Sequence, residues 1–240
     1  ALAGEDAVQW IEPPLPGLVE LNNSNRDRVG ANTVQAPPYG LSGAGVKVLV
    51  YDGGKVRASH QDLAPRVAIG PADNSGTSDH ATHVAGTIGG TGAASSGNFK
   101  GMAPGVTFIS FGFEQAGGLQ QGFLYTDPGD LYKDYSWAIS NGAHISNNSI
   151  GTNTAPNGFP CEWEGNYGVT DVLIDTIVRG DGSDPNFAAP FRVVWANGNE
   201  RQTSRCGSTY NTTAPPACAK NHITVGALNS NDDSVTSFTS

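Results

Sequence analysis

The chain is short of basic side chains: 13 Lys and Arg stand against 22 Asp and Glu, for a formal net charge of −9. A nucleic-acid binder needs a basic face to replace condensed counterions, and this composition does not provide one. Charged residues of both signs reach only 15%. No apolar run attains the ~18 residues that a membrane-spanning helix requires. A basic-then-apolar leader is also absent from the first residues, which is uninformative because a mature secreted protein has already lost it. Internal repeats and low-complexity tracts are missing as well. What is abundant is turn chemistry. The 32 Gly and 15 Pro make up about a fifth of the chain, below the low-complexity range, so the composition describes a rigid, turn-rich, folded protein. At 240 residues it is long enough for one large domain or two small ones.

Cysteine is scarce too, with three residues: Cys161, Cys206 and Cys218. Few lysines, many small polar residues and an acidic balance fit a secreted, extracellular protein. In that setting a disulfide between Cys206 and Cys218 would close a short loop and leave Cys161 odd. The other reading is three buried free thiols. Both stay open at this level.

Residues 1–45 read as irregular, because Pro13, Pro14, Pro16, Pro37 and Pro38 interrupt regular elements. The fragment 8–13 (VQWIEP) is a candidate strand. Beyond it, short β-branched runs alternate with helical spacing. Strands are expected at 46–51 (VKVLVY), 106–111 (VTFISF), 143–151 (AHISNNSIG), 191–195 (FRVVW) and 222–227 (HITVGA). Helices are expected at 80–90, 129–141 and 169–178, with Gly142 as a C-terminal stop. Residues 151–168, with Pro156 and Pro160, read as a loop. The alternation predicts an α/β fold: a three-layer, doubly wound, mainly parallel sheet with helices on both faces. In such sheets ligands bind beyond the carboxyl ends of the strands. Asp52, the segment 147–149 and the segment 197–199 all fall at such ends.

Each candidate alone has an ordinary structural explanation. Asp52 could simply cap a turn, although a carboxylate ending an apolar strand needs a donor or cation beside it. His80 and His83 share a helical face and could form half of a zinc site, but no third ligand with matching spacing is evident. Asn199, within ANGNE, could be only a turn residue. Together they read differently. A carboxylate can fix an imidazole tautomer, the imidazole can take a proton from a serine hydroxyl, and an amide can donate to an oxyanion.

These residues lie in segments that resemble the subtilisin-like serine proteases. KVLVYDGG resembles the strand with the family's aspartate at Asp52. SDHATHVAGTIGG resembles the histidine motif, with His80 as base and His83 structural. GMAPGV, ISNNSIG, VVWANGNE and AKNHITVGALNSNDDSVTSFTS resemble the later motifs. The segments GAHISNNSIG and AKNHITVGA are most similar to the large, oxidatively stable alkaline branch.

The resemblance implies a secreted serine endopeptidase whose catalytic residues include Asp52, His80 and Asn199. It also implies that Ser149, Ile150 and Gly151 pair with an extended peptide, with Ala196, Asn197 and Gly198 as the opposite wall. No cofactor is expected for the chemistry. The family commonly binds calcium, and the acidic turn at 230–234 could supply oxygens; a solvated acidic turn is the ordinary reading, and no metal ligands are assigned. Residues 25–240 correspond to the N-terminal part of the catalytic domain, and 1–24 to a propeptide tail or N-terminal arm. Departures are informative. The family's GTSxAxP serine motif is absent, so the serine is expected on a segment after residue 240, a C-terminal fragment of the same precursor, without which the fold is incomplete. The alternative is a non-catalytic pseudoprotease that binds extended peptides. Gly53 stands where the family usually has Ser or Thr, which removes one potential hydrogen bond to Asp52, and Ala81 replaces a usual glycine. Asn22, Asn147 and Asn211 head Asn-x-Ser/Thr triplets.

Overall fold

The structure is a computed structural model, and it describes residues 22–113, 127–152, 154, 160–203, 212–229 and 232–240. The candidate strand at 8–13 and most of the expected N-terminal arm lie outside the described residues. The apolar run after Gly45 forms β1 (Lys47–Asp52), buried from Val48 onward. Burial on both faces explains why its sequence is continuously apolar and does not alternate. It pairs in parallel with β3 (Thr107–Gly112) on one side and β4 (Ile145–Asn148) on the other. β2 (Val67–Ile69) extends the β3 side, and β5 (Arg192–Ala196) and β6 (Ile223–Val225) extend the β4 side. The order is β2-β3-β1-β4-β5-β6, and every pairing is parallel. The order reverses between β1 and β4, which opens a crevice at their carboxyl ends.

Side-chain alternation divides the sheet between two cores. Val48, Val50 and Phe108 point toward the helix α3 (Asp79–Gly89), where Ala81, Val84 and Ala85 meet them. Leu49, Tyr51, Ile109, Phe111, Val193 and Trp195 point the other way. They pack with Leu131, Tyr135 and Ala138 of α4 (Pro128–Ser140) and Ile174 and Ile177 of α5 (Val169–Arg179). This is the expected three-layer arrangement. Gly89 is required where α3 approaches the sheet: a Cβ there would lie 2.6 Å from Val106 and 2.8 Å from Phe108. No helix among the described residues is long and apolar enough to cross a membrane.

Three features differ from the sequence expectation. The stretch before residue 45 is not irregular throughout, because α1 (Asn22–Arg28) and α2 (Ala31–Gln35) occupy part of it. They are held by the buried Arg26 guanidinium, which donates to Asn32, Gln35 and the carbonyls of Lys100 and Gly101. Prolines at 37 and 38 break the chain only after these helices. β2 has three residues, two of them exposed, and carries too little apolar pattern to read. Finally, Cys218 is a free thiol, while Cys161 is disulfide-bonded. The Cys206–Cys218 bridge is therefore not formed, and the reading of three free thiols fails too. Cys206 lies outside the described residues.

Candidate active site

Asp52 ends β1 with its carboxylate 1% exposed. The chain then turns at Gly53, whose N–H donates to Asp52 Oδ1 at 2.7 Å. His80 is brought to the same oxygen by α3. Ser78 caps that helix, its hydroxyl accepting the Ala81 N–H at 3.1 Å, and Asp79 adds a favourable charge in the first turn. The cap places His80 in the opening turn, above the carboxyl end of β1. Its Nδ1 lies 2.7 Å from Asp52 Oδ1, and its side chain is 58% exposed. The carboxylate can only accept, so Nδ1 carries the proton and Nε2 is left as the basic nitrogen. No hydrogen bond among the described residues engages Nε2.

The second carboxylate oxygen, Asp52 Oδ2, is buried with no hydrogen-bond partner among the described residues. Burial therefore raises the Asp52 pKa above the ordinary carboxylate value, against the opposing pull of His80 and the Gly53 N–H. A Cβ on Gly53 would meet only the Phe113 ring, at 3.8 Å. Glycine is thus not sterically required at the position where a side-chain donor is missing.

Across the crevice, β4 runs out through Ser149 to Gly151. Ile150 packs against the core, and a Cβ on Gly151 would meet nothing within 4 Å. Beneath this segment lies a buried polar network. Tyr135 Oη is 2.7 Å from Asn148 Oδ1 and 2.9 Å from Ser146 Oγ; Asn148 Nδ2 is 3.1 Å from Ser146 Oγ and 2.8 Å from the Val194 carbonyl. The phenol has one proton, and Asn148 Oδ1 can only accept it. Ser146 then donates to Tyr135, and both Asn148 amide protons are used. The network ties β4 to β5 where the two strands begin to part.

On the far wall, Ala196 ends β5, and the Asn197 N–H donates to the Val225 carbonyl at 2.9 Å. Asn197 Oδ1 accepts the Thr213 hydroxyl at 2.7 Å, so this side chain supports the wall from behind. Gly198 adopts φ 114°, and Asn199 follows it, exposed at the same sheet edge as Asp52. β1 and β5 are separated by one strand, hence about 10 Å apart. Beside Gly151 is a largely apolar cavity of about 470 Å³ lined by Pro128, Thr152, Trp163, Val169 and Pro215, among others.

The structure separates His80 from His83. His83 faces a different cavity, with Arg57, His60, Thr87 and Met102, and no group of three or more His, Cys, Asp or Glu among the described residues forms a metal site. The zinc reading therefore has no support. In the acidic turn, Asp232 accepts from the Ser234 N–H and hydroxyl, and Asp233 pairs with Arg28. Residues 230 and 231 lie outside the described residues. Asn147 donates to the Ser149 hydroxyl at 2.9 Å within this strand.

The model of the subtilase family matches residues 43–240. The chain belongs to the subtilase family. It is 28% identical to alkaline elastase YaB of Bacillus sp. (strain YaB) over 230 residues, covering 90% of this chain and 57% of that protein. It is 29% identical to subtilisin E of Bacillus subtilis (strain 168) over 225 residues, covering 86% of this chain and 50% of that protein. The chain thus spans little more than half of the length of these relatives. In fold it is similar to a cold-adapted subtilisin-like serine proteinase (TM-score 0.52, 23% identity, 83% of this chain and 60% of the other). It is also similar to the self-cleaved protease domain of PatA (TM-score 0.56, 21% identity, 83% and 63%). Membership accounts for the parallel sheet and for the aspartate and histidine motifs on it. It does not by itself account for the Tyr135–Ser146–Asn148 network, which no local sequence pattern signals. The Ser78 cap was legible as a serine just before a helical run.

Proposed function

We propose that the complete protein is a secreted serine endopeptidase in which Asp52 and His80 act with a serine carried on polypeptide beyond residue 240. The observation that carries this reading is the 2.7 Å contact between His80 Nδ1 and the buried Asp52 carboxylate, with the His80 side chain more than half exposed. Asp52 holds the tautomer in which Nε2 accepts a proton. The serine hydroxyl gives its proton to Nε2 as its oxygen attacks the scissile carbonyl. The carbonyl oxygen becomes an oxyanion, and the Asn199 amide donates to it. His80 then passes the proton to the leaving amine. Water repeats the sequence on the acyl-enzyme and releases the acid. The substrate is an extended peptide added along Ser149, Ile150 and Gly151, with Ala196, Asn197 and Gly198 opposite. Backbone pairing gives affinity with little sequence choice. The apolar cavity beside Thr152 favours a medium or large apolar side chain.

The test is labelling of the purified native protein with a fluorophosphonate, followed by intact-mass and peptide mapping. The expected label lies beyond residue 240 and is lost in His80→Ala, and Asn199→Ala slows turnover by about 10² to 10³ with the fold retained. No label would establish the non-catalytic, peptide-binding alternative. A label on Ser237 or Ser240 would show that the nucleophile has been misassigned.

A further inference from the structure

Asn199 has an exposed side chain, and among the described residues no hydrogen bond holds its amide. A donor left free in this way can serve an oxyanion only if its backbone fixes where it points. The sheet does not do so, because its last bond to this segment is the one from Asn197 to Val225. The next two peptide units are held by Ser240, together with the single 3₁₀ turn Glu200–Thr203 that starts just beyond Asn199. The Ser240 N–H donates to the Gly198 carbonyl at 3.1 Å, and Ser240 Oγ accepts the Glu200 N–H at 3.1 Å. The first bond fixes the peptide plane before the Asn199 Cα, and the second fixes the plane after it. Both backbone dihedral angles of Asn199 are thereby restrained.

The surroundings agree. Gly198 sits at φ 114°, and a Cβ there would fall 3.1 Å from Ser240 Oγ, so this approach depends on glycine. Ser240 is itself anchored. The buried Thr239 accepts the Ala227 N–H at 3.0 Å through its hydroxyl, and the Thr236 N–H donates to the Ala227 carbonyl at 3.1 Å. The end of β6 thus carries Ser240 to the far wall of the crevice.

We propose that Ser240 is a positioning residue that aims the Asn199 amide. The proposal rests on the reading of Asn199 as oxyanion donor. Ser240→Ala keeps the bond to Gly198 and removes the acceptor of the Glu200 N–H. That leaves the peptide plane after Asn199 to the Glu200–Thr203 turn alone and loosens it. Steady-state kinetics of the native protease should show kcat reduced roughly three- to tenfold, with KM little changed. Ser240→Thr, which keeps the hydroxyl, should restore kcat. The deciding comparison is the double variant Ser240→Ala/Asn199→Ala, which should be no slower than Asn199→Ala alone, because Ser240 acts only through that amide. Multiplied losses in the double variant, or an unchanged kcat in Ser240→Ala, would overturn the proposal while leaving the oxyanion reading intact. Full turnover in Asn199→Ala would overturn both.

Discussion

Tyr135→Phe isolates the value of the polar network under the crevice. Tyr135, Ser146 and Asn148 are at most 1% exposed, so no water replaces what is lost. Removing the hydroxyl deprives Asn148 Oδ1 of its donor and the Ser146 hydroxyl of its acceptor. Each orphaned buried group costs ~1–3 kcal/mol, partly offset because the phenol no longer has to be desolvated. The net loss should be about 2 kcal/mol, which for a domain of this size lowers the Tm by about 4–8 °C. Equilibrium urea unfolding is the assay, with an unchanged m-value showing that the compactness of the two states is the same. A triple variant, Tyr135→Phe/Ser146→Ala/Asn148→Leu, leaves only the Val194 carbonyl without its extra donor. It should therefore recover part of the loss. A Tyr135→Phe loss below ~0.5 kcal/mol, or a triple variant no more stable than the single one, would refute the reasoning that orphaned partners carry the cost.

Two further predictions follow from the titratable groups. Burial raises the Asp52 pKa, so the folded protein holds this proton more tightly than the unfolded chain does. The contribution of Asp52 to stability is thus full below its unfolded pKa and is lost as pH rises through its folded pKa. Relative to Asp52→Asn, which cannot titrate, the wild type should lose stability across that window in urea titrations, and a wild type that gains there would contradict the sign. For the cysteines, burial pushes the Cys218 thiol up to about 11. Iodoacetamide near neutral pH should label native Cys218 slowly and unfolded Cys218 fast, and mass mapping should find Cys161 unlabelled until a reductant is added. Rapid native labelling of Cys218, or labelling of Cys161 without reductant, would contradict the assignment.

The central fold was legible because burial on both faces leaves an unmistakable pattern. VLVY is apolar throughout, and β1 is buried from Val48 onward. α4 was legible from its apolar spacing and from Gly142, which takes the left-handed φ of 83° after the helix. β2 and the pair α1–α2 were not, since neither presents a long apolar stripe; the latter is held largely by polar contacts centred on the buried Arg26. The candidate site divides in the same way. Asp52 and His80 sit in local motifs at element ends. The hold on Asn199 comes from Ser240, 40 residues from its Glu200 partner, and no local pattern encodes such a contact. Cysteine spacing left the short Cys206–Cys218 loop and three free thiols both open, because proximity in sequence says nothing about where two β-carbons point.

Two buried polar clusters lie near the same sheet edge, and the fold treats them oppositely. Around Tyr135 every proton and lone pair needed for a closed network is matched, which specifies how β4 and β5 sit together. Around Asp52 one oxygen is left buried and unmatched among the described residues, and Gly53 supplies no side-chain donor although a Cβ would fit. An under-solvated carboxylate gains most from a positive neighbour. On the proposed mechanism, His80 becomes positive only while it holds the serine proton. The Asp52–His80 interaction is therefore stronger in the transition state than in the resting site. That difference is what accelerates a reaction, whereas equal stabilisation of both states does not. A side-chain donor to Asp52 Oδ2 would satisfy the resting carboxylate and reduce this difference. The unmatched oxygen is thus a cost to the fold on which the proposed chemistry can draw.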